Sequence, residues 1–246
     1  MGAILNNTAY EMKVSVDSDL CKNGEIKISA LMKLHEKIGE LHLNVFGSKS
    51  DVLRTKHNVA FIFTKTAILI HRLPLENEEI TLKTWCSELK GVRFTRNYQT
   101  FDSLGNPLTE AKCEMTTIDM VSRKIVRPSS IPGFDGFLYN DELANGCDSP
   151  KKIVLPETLM TAGVHKAEIS DIDSNHHVNN TVYADILMDA LPDSFKNAKA
   201  QSLEINFVSE VLEQEEIKVS TALENNEFFV LGVASDRECF RGKVRL

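Results

Sequence analysis

The sequence predicts an α+β fold made of two similar halves, and three observations support this prediction. Two segments carry apolar side chains at the three- and four-residue spacing of an amphipathic helix. Most of the remaining chain consists of short runs of apolar and β-branched residues bounded by turn residues, a pattern that is typical of β-strands. The order of strand, helix and four strands occurs twice among the 246 residues, which indicates an internal repeat. We therefore expect two antiparallel sheets, each wrapping a long central helix.

The first half is predicted to contain one helix between Ser29 and Gly47. Ser29 is a favourable N-cap, and Gly47 tolerates the positive φ that commonly ends a helix. The apolar face of this helix consists of Leu31, Leu34, Ile38, Leu41 and Val45. The strands of this half are expected at residues 10–16, 57–71, 79–87, 94–102 and 108–120. They would supply the apolar surface that such a helix needs to pack against.

The second half repeats this order with a helix that ends at Pro192 and begins at an N-cap, either Asn179 or Asn180. The apolar face of this helix consists of Val182, Ile186, Leu187 and Ala190. The strands are expected at residues 164–169, 200–211, 216–223, 227–234 and 238–245. A stretch rich in Pro, Gly, Asn and Asp separates the halves and predicts a linker. The predicted divisions are therefore residues 1–135, 136–160 and 161–246.

The composition excludes several classes of partner and compartment. The net charge of −7 argues against a general nucleic-acid or anionic-membrane binder, which needs a basic surplus. No apolar stretch approaches the ~20 residues of a membrane span, and the chain start lacks the features of a signal peptide. The five cysteines are scattered, with no CxxC pair, which favours reduced thiols in the cytoplasm over disulfides or a zinc motif.

One segment, residues 170–183, concentrates polar residues immediately before the second helix. It contains two acids, two histidines and three asparagines ahead of Thr181. Helix capping explains Asp173 or Asn179 alone, because acids and amides favour helix N-termini. Capping does not explain His177, since a protonated imidazole is unfavourable at that end of a helix. The segment is therefore a candidate catalytic site, and no equivalent cluster precedes the first helix.

This segment resembles the signature of a known enzyme family, the acyl-acyl-carrier-protein thioesterases of bacteria and plant plastids. The matching run is Asp173-x-Asn175-x-His177-Val178-Asn179-Asn180, followed by Tyr183. Residues 205–211 resemble the strand that supplies the family's glutamate, here Glu210. The resemblance implies a tandem, or double, hotdog fold and hydrolysis of fatty acyl thioesters. It also implies a catalytic set consisting of Asp173, Asn175, His177 and Glu210.

Two positions depart from the family pattern. His176 stands where plant members usually carry Gln, so a second imidazole borders the site. Val211 stands where many plant members carry Cys after the glutamate. A mechanism that uses that cysteine as nucleophile therefore cannot operate in this chain.

The residue types suit thioester hydrolysis, which needs a placed water, a base and a group that holds the developing oxyanion. The backbone N–H groups of Val178, Asn179 and Asn180 are predicted to form the anion site where the helix begins. Asp173 and Glu210 would provide one ionised base and one orienting partner. Whether a carboxylate attacks directly or activates water stays open at this point. We expect no cofactor and no metal, since adjacent histidines such as His176 and His177 rarely converge on one ion.

His177 and Asn175 have further predicted roles in the same reaction. His177 would polarise the carbonyl or relay a proton to the leaving thiolate. Asn175 would hold the water or the carbonyl by hydrogen bonds.

The expected partner is a fatty acyl chain carried by acyl carrier protein, a small acidic domain that needs a basic surface to dock on. The candidate docking residues are Arg93, Arg96, Arg123, Lys124 and Arg127, for which a solvated face is an equal account. The first half is free to hold the acyl chain. Its candidate pocket residues are Met32, Leu34, Ile38 and Leu41, for which ordinary core packing is the competing account. Further pairing into a homodimer is left open.

Three other functions compete with this prediction. An acyl-CoA thioesterase would need the same site residues. A hotdog hydratase or dehydratase would act on an enoyl thioester, but those enzymes place Pro after the asparagine, where this chain has His176. A non-catalytic acyl-binding module would be expected to have lost at least one of the four site residues, which are all present.

Overall fold

The computed structural model describes residues 3–5, 8–45, 50–131, 139–195 and 198–246. Gly47, predicted to end the first helix, lies outside these residues, as do residues 132–138 around the start of the predicted linker. The helices are α1 (Ile28–Val45), α2 (Ser50–His57) and α3 (Val182–Asp189). The strands are β1 (Ala3–Leu5), β2 (Ala9–Ser15), β3 (Cys21–Lys22), β4 (Glu25–Ile26), β5 (Val59–Ile70), β6 (Glu79–Lys90), β7 (Arg93–Phe101), β8 (Pro107–Asp119), β9 (Ile125–Val126), β10 (Met160–Lys166), β11 (Ser202–Phe207), β12 (Glu216–Glu224), β13 (Glu227–Ala234) and β14 (Arg237–Arg245).

The chain divides into two compact units, and each contains an antiparallel sheet of the same topology. The first unit comprises Met1–Ile26 and Leu31–Pro150, and the second comprises Lys27–Ala30 and Lys151–Leu246. The strand order in the first is β1-β2-β6-β7-β8-β5, and in the second it is β11-β14-β13-β12-β10. In each unit the strand before the helix pairs with the second of the four later strands, and the fourth pairs with the first. The predicted repeat is present.

Several elements differ from their predicted form. The helix of the second unit has 8 residues, whereas α1 has 18, so only the first is a long central helix. Helix α2 was not predicted, because its short polar sequence buries only one leucine, Leu53, and offers little apolar periodicity. Ser29 lies inside α1 rather than at its cap. Strand β11 stops at Phe207, so residues 208–211 leave the sheet.

Small and aromatic residues fix α3 on its sheet in the second unit. A Cβ on Gly242 of β14 would lie 2.1 Å from Cδ1 of Leu187, so the absence of a side chain lets α3 approach closely. Tyr183, in the first turn of α3, packs against Phe240 at a ring-centroid distance of 4.8 Å. Phe240 in turn needs Gly232 opposite it, where a Cβ would lie 2.1 Å from the ring. These contacts hold the residues that precede α3 in a defined place.

The predicted linker contains a segment, residues 139–150, with no helix or strand, and hydrogen bonds tie it to the first unit. Asn145 donates through Nδ2 to the carbonyl of Ala111 at 3.0 Å. The N–H of Gly146 donates to Glu110 Oε2 at 2.6 Å. Burial raises the pKa of Glu110, but the hydrogen bonds from Gly146, Gln99 and His71 outweigh it and hold that pKa below its ordinary value. This stretch therefore packs with the first unit.

The interior of the first unit is unusually polar where α1 meets β7. The helix approaches the strand at Gly39, where a Cβ would lie 3.2 Å from the hydroxyl of Tyr98. His35 stacks on Tyr98 with ring centroids 4.5 Å apart and an interplanar angle of 10°. His42 accepts a hydrogen bond at Nδ1 from Nη1 of Arg96 at 3.0 Å. Because a guanidinium can only donate, His42 must be neutral in this contact.

The pKa of each histidine is lowered to about 3, for His35 by burial and for His42 by burial and then by the charge of Arg96. In the unfolded chain a histidine titrates at about 6.5. The unfolded state therefore binds more protons than the folded state between these values, and stability falls as the pH drops from 6.5 towards 3.

Replacing His35 with Phe should make the protein less sensitive to acid, because the ring stack is kept and the titrating group is removed. Near pH 5 this histidine should cost the wild type about 2 kcal/mol of stability. Denaturant unfolding near pH 8 and pH 5 measures this, since the comparison at pH 8 isolates the packing effect. An equal difference between the two proteins at both pH values would contradict the prediction.

Candidate active site

The predicted catalytic segment forms a closed turn between the 3₁₀ helix Ile169–Asp171 and α3. The N–H of Asp173 donates to the carbonyl of His177 at 3.0 Å, and the N–H of His176 donates back to the carbonyl of Asp173 at 3.0 Å. A single β-bridge between Ile172 and Val178 closes the base of the turn. His176 adopts a positive φ of 65°, which lets the chain reverse within so few residues.

The turn brings together three of the four predicted catalytic side chains. Asn175 donates to both oxygens of Asp173, from its N–H at 2.7 Å and from Nδ2 at 3.0 Å. A further contact of the Asp173 carboxylate is with His177, whose Nδ1 lies 3.8 Å from Oδ1. This distance is too long for a hydrogen bond, but it places the carboxylate beside the imidazole ring. Both side chains are about one-fifth exposed, at 18% for Asp173 and 20% for His177.

The tautomer of His177 follows from its other contact. Nδ1 lies 3.2 Å from the carbonyl oxygen of Val178. A carbonyl oxygen only accepts, so this hydrogen bond requires the proton on Nδ1 and leaves Nε2 as the basic nitrogen. The arrangement can therefore accept a proton at Nε2 while Asp173 faces the opposite side of the ring.

The fourth predicted residue, Glu210, lies in the segment that follows β11. The N–H of Val178 donates to the carbonyl of Val211 at 2.8 Å, which joins this segment to the turn. The structure thus brings Glu210 next to the point where the two segments meet, and it leaves the side chain exposed. Tyr183 lies nearby on α3. Burial raises the pKa of its hydroxyl well above the usual value, and the negative charge of Glu210 contributes to raising it, so this phenol stays protonated.

The predicted backbone anion site is largely wrong. Helix α3 begins at Val182, later than the anion site requires. The N–H of Val178 is engaged by Val211, and the N–H of Asn179 donates to the carbonyl of Asp171 at 2.8 Å. Only Asn180 of the three keeps an N–H without a hydrogen bond to any of the described residues. The predicted N-cap, Asn179 or Asn180, is also wrong, because Thr181 is the N-cap of α3. The Oδ1 of Asn179 accepts the N–H of Thr181 at 2.8 Å and so forms a turn just before the helix.

A supporting pair that the sequence did not predict, His165 and Asp171, lies beside the turn. Nε2 of His165, at the end of β10, lies 2.9 Å from Oδ2 of Asp171. The same carboxylate oxygen accepts the N–H of Glu168 at 3.1 Å, and the carbonyl of Asp171 accepts Asn179. Asp171 therefore anchors both ends of the segment that carries the site. No local spacing reveals this pair, because strand pairing and the 3₁₀ turn bring the two residues together.

One predicted docking residue is wrong, because Arg96 is buried and only 2% exposed. Its guanidinium lies between His42 and Thr84 on the face of β7 that packs under α1. The alternation of a strand sends every second side chain to one face, and Arg96 falls on the interior face. The remaining docking candidates are exposed and are Arg93, Arg123, Lys124 and Arg127.

The predicted pocket residues occupy two flanks of α1 rather than one stripe. Met32, Leu34 and Ile38 are buried, and Leu41 is half-buried. With 100° of rotation per residue, Met32 falls on one flank and Leu34 on the other. Between them lies the row that contains His35 and His42.

Models of two family domains match this chain. The acyl-ACP thioesterase N-terminal domain matches residues 6–130, and the C-terminal domain matches residues 160–237. The chain belongs to the acyl-ACP thioesterase family. The resemblance found in the sequence is confirmed.

Curated relatives of this thioesterase-family chain come from plants. The chloroplastic palmitoyl-acyl carrier protein thioesterase of Arabidopsis thaliana is 22% identical over 213 residues, which cover 83% of this chain and 51% of that protein. The corresponding protein of Gossypium hirsutum is 24% identical over 143 residues, which cover 56% of this chain and 34% of that protein. The chain thus spans about half, or less, of the length of these relatives.

Solved structures of similar fold include two thioesterases. An acyl-ACP thioesterase from Bacteroides thetaiotaomicron has a TM-score of 0.80 at 21% identity, with 97% of this chain and 98% of that chain covered. The 12:0-ACP thioesterase of Umbellularia californica has a TM-score of 0.82 at 16% identity, with 99% and 98% covered. At these identities the likeness shows the fold, and it confirms the predicted double hotdog. None of the helices in the described ranges combines the length and apolar character needed to cross a membrane.

Proposed function

We propose that this chain hydrolyses the thioester of a fatty acyl-acyl carrier protein, releasing free fatty acid and carrier protein and so ending fatty acid synthesis. Family membership supports the reaction class. The observation that carries the proposal is the closed turn that presents Asp173, Asn175 and His177 together, joined by one backbone hydrogen bond to the segment of Glu210.

The geometry favours a mechanism in which His177 activates water. Nε2 takes a proton from the water as its oxygen attacks the thioester carbonyl carbon, and the carboxylate of Asp173 stabilises the imidazolium that forms. The carbon–sulfur bond then breaks, and the imidazolium returns the proton to the leaving thiolate. Asn175 holds Asp173 in place through two hydrogen bonds, and Glu210 supplies the second carboxylate of the site. Direct attack by a carboxylate is the alternative.

Loss of either carboxylate should nearly abolish hydrolysis. Asp173→Asn keeps an oxygen that can accept from Asn175, but it removes the charge that favours the imidazolium, and Glu210→Gln removes the second charge. Each should lower kcat by about 10²- to 10⁴-fold. Release of free thiol from acyl-carrier-protein substrates measures the rate. Glu213→Gln, in an exposed residue of the same loop, is the matched control and should retain wild-type kcat. Full activity in both Asp173→Asn and Glu210→Gln would contradict the proposed site.

Thiol release from acyl-CoA, hydration of an enoyl thioester and binding of acyl carrier protein separate the competing functions. Equal rates on acyl-CoA substrates would favour an acyl-CoA thioesterase. Hydration of an enoyl thioester without thiol release would favour a hydratase, and binding of acyl carrier protein without turnover would favour a non-catalytic acyl-binding module.

We further propose that the acidic carrier docks on the exposed basic residues of the first unit. Arg123 and Lys124 lie in the turn between β8 and β9, which Asp119 shapes by accepting the N–H groups of Val121 and Ser122. Arg127 follows β9, and Arg93 begins β7, where its Nη1 lies 3.9 Å from Glu114. An overall charge of −7 makes such a local basic patch necessary for rapid association with an acidic partner.

Reversing the charges of Arg123 and Lys124 to Glu should raise KM for a carrier-bound substrate by roughly 10-fold, with little change in KM for a small acyl thioester. The effect should shrink at high salt, since exposed charges are screened. The matched control reverses another exposed basic pair, Lys151 and Lys152, which changes the net charge equally. Equal changes in KM for both substrates, or the same change in the control, would contradict docking at this turn.

The acyl chain is proposed to occupy the first unit beside α1. The buried residues Met32 and Ile38 are the ones to test, and Met32→Phe and Ile38→Phe should each shift the preferred substrate to shorter chains. Competition between saturated acyl chains of increasing length measures the preference. Ile186→Phe, at an equally buried site on α3, controls for general destabilisation. An unchanged preference in both Met32→Phe and Ile38→Phe would contradict this pocket.

Two expectations stay predictions. No disulfide joins the described cysteines Cys21, Cys86, Cys113, Cys147 and Cys239, which supports the cytoplasm as the compartment. Pairing of two chains into a homodimer also stays a prediction.

A further inference from the structure

Glu210 lies in the irregular segment between β11 and β12. Strand β11 ends at Phe207, and the N–H groups of Val208 and Ser209 both turn to one carbonyl, that of Cys239, at 2.8 and 3.2 Å. The next strand, β12, begins only at Glu216. Backbone hydrogen bonds flank Glu210, from Ser209 to Cys239 and from Val178 to Val211, and side chains around residues 209–215 add further contacts that fix its position.

Arg237, the first residue of β14, makes the principal contacts. Its Nη1 donates to the backbone carbonyl of Glu210 and to Oγ of Ser209, the latter at 3.1 Å. Its Nη2 lies 2.8 and 2.6 Å from the two carboxylate oxygens of Glu215. One guanidinium thus holds both ends of the loop, which the rigid fork of arginine allows.

Glu215 is itself held in place for this contact. Its Oε2 accepts the N–H of Leu212 at 2.7 Å, and its Oε1 accepts the hydroxyl of Ser235 at 2.9 Å. The hydrogen bond from Leu212 lowers the pKa of Glu215, as do those from Ser235 and Arg237. Glu215 is therefore ionised at neutral pH and is a firmly positioned ion-pair partner for Arg237.

We propose that Arg237 is a positioning residue for Glu210, an inference that rests on the proposed function. Arg237 and Glu215 fix the backbone of Glu210 and of Val211, whose carbonyl receives the N–H of Val178. This pair, Arg237 and Glu215, is called the clasp. It thereby sets the position of the Glu210 carboxylate relative to the Asp173–His177 turn. A misplacement of about 1 Å in a catalytic group can cost about 10²-fold in rate.

The clasp should matter more for geometry than for stability. The side chain of Arg237 is 37% exposed, and ion pairs at this exposure contribute little to stability. Arg241 offers a matched control on the same strand. It pairs with Glu238 at 2.7 and 2.9 Å and donates to a backbone carbonyl, that of Ile153, at 3.0 Å. Its chemistry is the same, but its carbonyl partner lies outside the Glu210 segment.

The test compares Arg237→Met with Arg241→Met, using kcat and KM on an acyl-carrier-protein substrate and denaturant unfolding. Both variants should lose a similar, small amount of stability. Only Arg237→Met should lower kcat, by about 10- to 100-fold, with KM little changed. Arg237→Lys should be intermediate, because one ammonium cannot reach Glu215 and the carbonyl of Glu210 in the same way.

A double-mutant cycle with Glu210→Gln separates positioning from a general structural role. If Arg237 acts through Glu210, Arg237→Met should add almost nothing to the loss already caused by Glu210→Gln. Additive losses would overturn the inference, as would wild-type kcat in Arg237→Met or an equal fall of kcat in Arg241→Met. Impaired Glu210→Gln with normal Arg237→Met would overturn this inference alone. A wild type without thioesterase activity would overturn the proposed function and this inference with it.

Discussion

One backbone hydrogen bond, from the N–H of Val178 to the carbonyl of Val211, joins the two segments on which the proposed site depends. One segment is the turn that ends at His177, and the other is the irregular stretch after β11. Neither segment alone can set the distance between the two proposed carboxylates. The site needs both segments. The pair His165–Asp171 supports the first, and the pair Arg237–Glu215 supports the second. Both pairs therefore help to maintain the hydrogen bond between Val178 and Val211.

The two units share a topology but not an interior, and the difference explains why their roles can differ. In the first, α1 is 18 residues long and covers a polar layer in which His42 accepts from a buried guanidinium. In the second, α3 has only 8 residues and sits closely on Gly242. The proposed catalytic segment lies directly before the first turn of this short helix. The long helix begins directly after β4, with no such segment ahead of it.

The strands were predictable because period-two patterning survives in both units, and the strand Glu227–Ala234 was placed at its observed bounds. The site turn was recognisable because Asp173, Asn175 and His177 are close in sequence and their polar character has no use in a core. The location of Arg96 was predicted wrongly because the sequence does not show on which face of the sheet a charged residue lies. Its burial is tolerated through His42, a partner on another element.

The sequence by itself determined the repeat, the family and the composition of the proposed catalytic turn, since these follow from local spacing and residue chemistry. The tertiary structure decided which atoms are free to react. In the folded chain the N–H groups of Val178 and Asn179 donate to backbone carbonyls. The hydrogen bond from His177 to a carbonyl requires its proton on Nδ1, and Arg237 donates to the carbonyl of Glu210. Hydrogen bonds between residues far apart in the chain depend on where strands end and loops turn. Spacing along a single sequence does not encode that information.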